Sequence, residues 1–192
     1  MSRSHVVFIA AASVLLTTLS GCALLEPALD EEVPSDVALC TMGHSWTLDT
    51  ADLATQLLAE LQHNHPDVTA VEANGTATLD WGADSTVELA SDLTIVVTAG
   101  TAEAPVVITE SLVGTGGGKA YITADIAIPR GWTNDVEVET TAQSAGVDLE
   151  APPFEVPGTV LDDSVGLELT CDGGTLTIHP RGSAIVQKFT SG

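Results

Sequence analysis

The sequence predicts a mainly β domain, an antiparallel meander that closes as a barrel or half-barrel, with a β-sandwich as the alternative and one α-helix after the first strand. Three observations lead there. From Val68 onward apolar and polar residues alternate with a period of two, the pattern of strands with one buried and one wet face. Short glycine- and proline-marked segments separate the alternating runs. Only residues 49–64 carry a helical period.

The elements follow in order. Over residues 41–48, Met42, His44, Trp46 and Leu48 share one face of an extended chain, which reads as a first strand. In residues 49–64, Leu53, Leu57 and Leu61 mark one helical face, Asp49 or Thr50 can cap the start, and Pro66 stops continuation. Residues 75–81 alternate Ala77, Leu79 and Trp81 against Thr76, Thr78 and Asp80. After the turn 82–85, residues 86–98 set Val87, Leu89, Leu93, Ile95 and Val97 on one side. Residues 106–113 read as a further strand and the glycine run 114–118 as a hairpin loop. That loop leads into a strand over 120–128 with Ala120, Ile122, Ala124, Ile126 and Ile128 in one apolar row. Residues 136–142 supply another strand and the proline-rich 151–158 a surface connection. Val165, Leu167, Leu169 and Cys171 then pair through the turn 172–174 with Leu176 and Ile178. A last strand is expected over 184–189.

The N-terminus bears on location. A basic start with Arg3 leads into an apolar run from Val6 that closes on Leu19-Ser20-Gly21-Cys22. The run is short of the ~20 residues of a spanning helix, so residues 1–21 read as a cleaved export signal, with an uncleaved anchor as the alternative. Leu-Ser-Gly-Cys resembles the lipobox of bacterial lipoproteins. The resemblance implies that Cys22 receives a diacylglyceryl group and becomes the mature N-terminus. It places the chain on the extracytoplasmic face of the cell membrane, held by acyl chains such as palmitate. Two chains suffice for a stable anchor, since each buried CH2 contributes roughly 0.8 kcal/mol. Residues 22–39, with Pro27, Pro34 and Asp30-Glu31-Glu32, read as an acidic tether, and residues 40–192 as a single β-rich domain.

The chain of 192 residues has 27 acidic and 5 basic side chains, a formal charge of -22. Such a charge repels nucleic acid and disfavours lying flat on anionic lipid, so a monomeric domain standing off on its tether is expected. With Cys22 spent on lipid, Cys40 and Cys171 remain. In an oxidising compartment the pair reads as a disulfide, the alternative being a Cys/His metal site.

Gly43-His44-Ser45-Trp46 ahead of a strand meander resembles the Gly-x-Trp opening of lipocalins, with one extra residue between glycine and tryptophan. That likeness would put Trp46 at a barrel floor beneath an apolar ligand; otherwise Trp46, Trp81 and Trp132 are core or rim aromatics. The whole mature chain is similar in style to envelope lipoproteins of actinobacterial type, which carries no activity with it. His63 and His65 with Asp67 have a permissive metal spacing, but histidines at a helix C-terminus also answer the helix dipole, and no metal or other cofactor is expected. His179 reads as an isolated turn residue. The sequence has no nucleophile elbow, phosphate loop or zinc-protease motif, so a non-enzymatic role is expected. The expectation is an extracytoplasmic binding protein holding a small apolar ligand, or else an envelope interaction module with a packed core, and no ligand-binding residue can be named.

Overall fold

The computed structural model describes residues 34–158 and 166–192; the expected signal, Cys22, most of the tether and Val165 lie outside the described residues. The first element was not expected. Helix α1 (Asp36–Thr41) falls across the end of the segment read as tether. Ser35 caps it by accepting from the Ala38 amide, and Ala38 is buried. Gly43, at φ 77, turns the chain from α1 into β1 (His44–Leu48), a left-handed conformation that favours glycine.

Helix α2 (Thr50–Asn64) follows β1 as the leucine spacing predicts. Asp49 accepts from the Asp52 amide at 3.0 Å, and Leu53, Leu57 and Leu61 are buried. Burying each leucine contributes about 1.5–3 kcal/mol, which docks a helix of this length. The remaining strands are β2 (Val68–Trp81), β3 (Thr86–Thr101), β4 (Ala104–Thr123), β5 (Ile126–Asn134), β6 (Glu137–Ser144), β7 (Val147–Asp148), β8 (Leu167–Asp172), β9 (Thr175–Pro180) and β10 (Gln187–Ser191).

All strands belong to one antiparallel sheet in the order β3-β2-β1-β10-β9-β8-β5-β4-β6-β7, and β3 also pairs with β4. Eight strands therefore form a closed ring, as the predicted meander requires, with β6 and β7 continuing beyond β4. The ring is stitched unevenly. β3 and β4 pair from Thr86↔Lys119 to Thr101↔Ala104, whereas β5 meets β8 only through Ile126↔Glu168 and Ala127↔Leu167. The α2 leucines join inward residues of β1, β2, β3, β4, β8, β9 and β10 in one core cluster, among them Trp46, Leu79, Ile95, Ile108, Leu169, Ile178 and Phe189.

Two readings of the sequence are corrected. The glycine run is not a hairpin loop: Gly114 to Gly118 lie inside β4, opposite Ser91 to Val87 of β3. Glycine permits close approach of neighbouring backbones as well as turns. A Cβ on Gly117 would stand 2.7 Å from the Val87 carbonyl oxygen, and one on Gly118 3.0 Å from that of Arg130. The turn comes later, at Ala124 and Asp125, with Ala124 at φ 56. The row of apolar residues through Ile128 is consequently broken there. Ala120 and Ala127 face the core, while Ile128 pairs with Tyr121 on the outer face.

Candidate functional site

The interior of the ring is the first place to look for a ligand. It holds a cavity of about 30 Å³ bounded by Leu53 of α2, Ala77, Leu89, Leu93, Leu112 and Phe189, with Ser91 and Gln187 as its polar lining. Ser91 donates its hydroxyl to the Leu112 carbonyl at 2.8 Å, satisfying the group within the sheet. A water needs roughly 10–15 Å³ by this measure, and ligand pockets usually reach about 300–1,000 Å³, so the space suits a water or two and not an apolar cargo. The space is closed by the α2 leucines and the inward aliphatic residues of the ring, which pack in one cluster.

Trp46 and Trp81 are 1% and 2% exposed and belong to the core; Trp132 packs on it while partly exposed. Trp46 Nε1 donates to the Thr41 carbonyl at 3.1 Å, joining β1 to the end of α1. Position 42, read as part of the first strand's face, caps α1, and His44 at the start of β1 is exposed.

The cysteines read as a pair stand at disulfide distance. Cys40 of α1 and Cys171 of β8 have Cα atoms 6.0 Å apart, 131 residues apart in sequence. The bond lies beside the weak β5–β8 seam and pins α1 across it, together with a 2.7 Å hydrogen bond from Ser35 Oγ to the Ala124 carbonyl.

The histidines are placed apart from any metal cluster. His65 stacks on Phe154 of the proline-rich connection, ring centroids 4.4 Å apart and planes 20° from parallel, while His63 is exposed on the last turn of α2. Among the described residues no group of three His, Cys, Asp or Glu side chains is placed to share a metal ion. His179, read as an isolated turn residue, is part of β9: its Nε2 is 2.9 Å from the Ser183 carbonyl and its Nδ1 3.7 Å from Glu168.

Two features have no counterpart in the sequence reading. On the outer face, a groove of about 360 Å³ runs over Gly116 and Gly117 between Asp80 and Glu88 on one side and Thr133 and Asp135 on the other. Asp80 and Glu88 are direct cross-strand partners, a like-charge pairing that disfavours the sheet locally. Alternation places both carboxylates outward; the glycine floor emerges only once the glycines are known to lie within a strand. The second feature is Glu110, a carboxylate on the inner face of β4 only 8% exposed, between Ile108 and Leu112. Burial pushes its pKa above the ordinary carboxylate value, partly offset by a hydrogen bond from Thr140. Nothing in sequence marked it, because one acid in an alternating run does not break the run.

Among the described residues no helix is long and apolar enough to cross a membrane. No family model matches the chain, and no curated protein is significantly similar to it.

Proposed function

We propose that the protein is a lipid-anchored, extracytoplasmic envelope module that works through its outer surface and not through a ligand held in its core. The observation that carries this choice is the cavity inside the ring: about 30 Å³, lined by aliphatic side chains with Phe189, Ser91 and Gln187. Of the two roles expected from sequence, that favours the interaction module with a packed core over the carrier of a small apolar molecule. The Leu19-Ser20-Gly21-Cys22 lipobox supports the anchor and the extracytoplasmic location, and a linked Cys40 and Cys171 pair suits an oxidising compartment.

Native mass spectrometry of the full chain purified from its own membrane tests the reading. The expected mass is that of the processed chain plus its acyl groups and nothing more. A stoichiometric apolar molecule beyond the anchor would reinstate the carrier. Cys22→Ala, or globomycin treatment, should leave a larger, unacylated precursor; an unchanged mature mass removes the anchor from the account.

A further inference from the structure

We propose that the open edge of β6, from Glu137 to Thr141, takes an extended partner segment as an added strand, one with lysine or arginine on its outer face and aliphatic side chains on its inner face. The inference rests on the interaction role proposed above and names the chemistry of the partner.

The backbone defines the shape that fits. β6 pairs along its whole length with β4, from Val106↔Ser144 to Val113↔Glu137. On its other side β7 meets only Gln143 and Ser144, and the Ala142 carbonyl accepts from the Leu149 amide at 2.8 Å. The N–H and C=O of one strand residue point the same way, and the direction alternates along the strand, so those of Val138 and Thr140 face the same side as those of Ala142. Among the described residues nothing pairs with these four groups. Residues Glu137 to Thr141 are all exposed. Beyond Leu149 the chain peels away from β6, and a groove of about 270 Å³ opens between residues 140–143 and residues 148–152. Unpaired donors and acceptors at strand spacing are the template for one more strand.

The side chains define which strand. Glu137 and Glu139 lie on the outer face, opposite Val113 and Ser111, while Val138 stands on the core side opposite the buried Leu112 and is still 52% exposed. An added strand keeps this alternation, so it sets cations beside the two glutamates and an aliphatic residue over Val138. No cation of this chain answers those glutamates. Among the described residues the ion pairs of Lys119, Arg181 and Lys188 go to Asp84, Glu168 and Asp49. Lys119 and Arg130 face each other six residues further along β4 than Val113↔Glu137. That is roughly 20 Å at strand rise, past the ~10 Å reach of screened charge. The same glutamates work against a second copy of the chain. Antiparallel pairing of two β6 edges about Glu139 sets that residue against its own copy, and pairing about Val138 sets Glu137 against Glu139; like charges directly opposed destabilise a pair.

The probe is a capped synthetic peptide, Thr-Lys-Val-Lys-Thr, titrated into the full chain, with amide hydrogen exchange read at Val138 and Thr140. Its control carries an N-methyl group on the valine amide, which keeps both charges and removes the donor aimed at the Val138 carbonyl. Strand addition predicts severalfold slower exchange at Val138 and Thr140, and binding of the methylated peptide weaker by roughly tenfold or more. The Glu137→Lys, Glu139→Lys double variant, checked for an unchanged unfolding temperature, should lose the peptide and take its counterpart with glutamate in place of lysine. Equal binding of the methylated peptide would show attraction by charge alone and overturn strand addition. An unchanged affinity in the double variant would move the peptide off β6 and overturn the site. Absence of binding would overturn the proposal while leaving the packed interior, and the interaction role read from it, as they stand; a retained apolar molecule in native mass spectrometry is what would overturn that role. Protection of the same amides without peptide, growing with protein concentration, would assign the edge to a second copy and overturn the cationic partner.

Discussion

Gln56 is the side chain through which α2 is tied to the far end of the sequence, and its replacement tests how the helix is held. Its Nε2 donates to the Val186 carbonyl at 2.6 Å, and its Oε1 accepts from the Val186 amide at 2.9 Å. The amide thus serves Val186 as a neighbouring strand would. Nε2 also donates to Asp52 Oδ2 at 2.6 Å. Gln56→Ala removes both bonds to Val186 and leaves two part-buried backbone groups to be served by water. At about 1 kcal/mol for each bond, with part of the desolvation cost recovered by solvent, the expected loss is about 2 kcal/mol. For a domain of this size that lowers the unfolding temperature by about 4–8 °C. Gln56→Glu is the sharper test. A carboxylate still accepts from the Val186 amide, but it faces the Val186 carbonyl and the Asp52 carboxylate where a donor stood. At neutral pH it should therefore cost about 1 kcal/mol more than alanine. Repulsion raises the folded-state pKa of the introduced acid above its unfolded value, so the extra loss is absent at low pH and appears as pH rises through the raised value. Urea unfolding of the three proteins across pH decides the matter. A Gln56→Ala variant within 0.5 kcal/mol of the parent, about the scatter of ordinary surface changes, would refute the reasoning. A Gln56→Glu loss that ignores pH would do the same.

Three further outcomes are expected. Because burial raises the folded-state pKa of Glu110, the native protein loses stability as pH climbs from the ordinary carboxylate value through the raised one. Glu110→Gln should remove that slope, and parallel unfolding curves for parent and variant between about pH 4 and about pH 8 would contradict it. Gly117→Ala should cost about 1–3 kcal/mol by driving a methyl against the Val87 carbonyl, while Gly158→Ala, with nothing within 4 Å, should be close to neutral in the same thermal melt. Reducing the Cys40–Cys171 link, which spans 131 residues, should destabilise by up to about 5 kcal/mol on chain entropy alone. Comparing urea midpoints of the oxidised chain and the Cys40→Ser, Cys171→Ser double variant measures it, and coincident midpoints would show that the link constrains nothing.

Much of this architecture is legible along the chain where side chains carry the signal. Leu53, Leu57 and Leu61 repeat at helical spacing, and the burial of all three follows directly. The alternation of Leu167, Leu169, Leu176 and Ile178 around Gly173 and Gly174 similarly foretells the β8–β9 hairpin. The glycine run misleads because glycine has no side chain to show which face it occupies, and its use in turns is as common as its use in close strand packing. Helix α1 is too short to display a period; its place follows from the burial of Ala38 and the link through Cys40, both tertiary. The pairing of β1 with β10, which the ring requires, joins Trp46 to Ser191 and leaves no local trace. The same holds for the site. The acidic groove arises from register between strands, and an outward residue shows its own polarity but not its neighbours across the sheet.

The link between Cys40 and Cys171 also sets where a pull on the N-terminal side would be felt. Without it, tension arriving through α1 would pass directly to β1, which sits between β2 and β10 in the ring. With it, tension is diverted at Cys40 into β8, which shares with β9 a ladder running from Leu167↔Pro180 to Asp172↔Thr175. The covalent shortcut leaves residues 41–170, including β1, α2 and the long β2–β3–β4 strands, inside a closed loop that no end-to-end force can extend. For a force applied between the N-terminal side of Cys40 and the C-terminal side of Cys171, the disulfide acts as a mechanical bypass, shielding most of the chain from being drawn out under load.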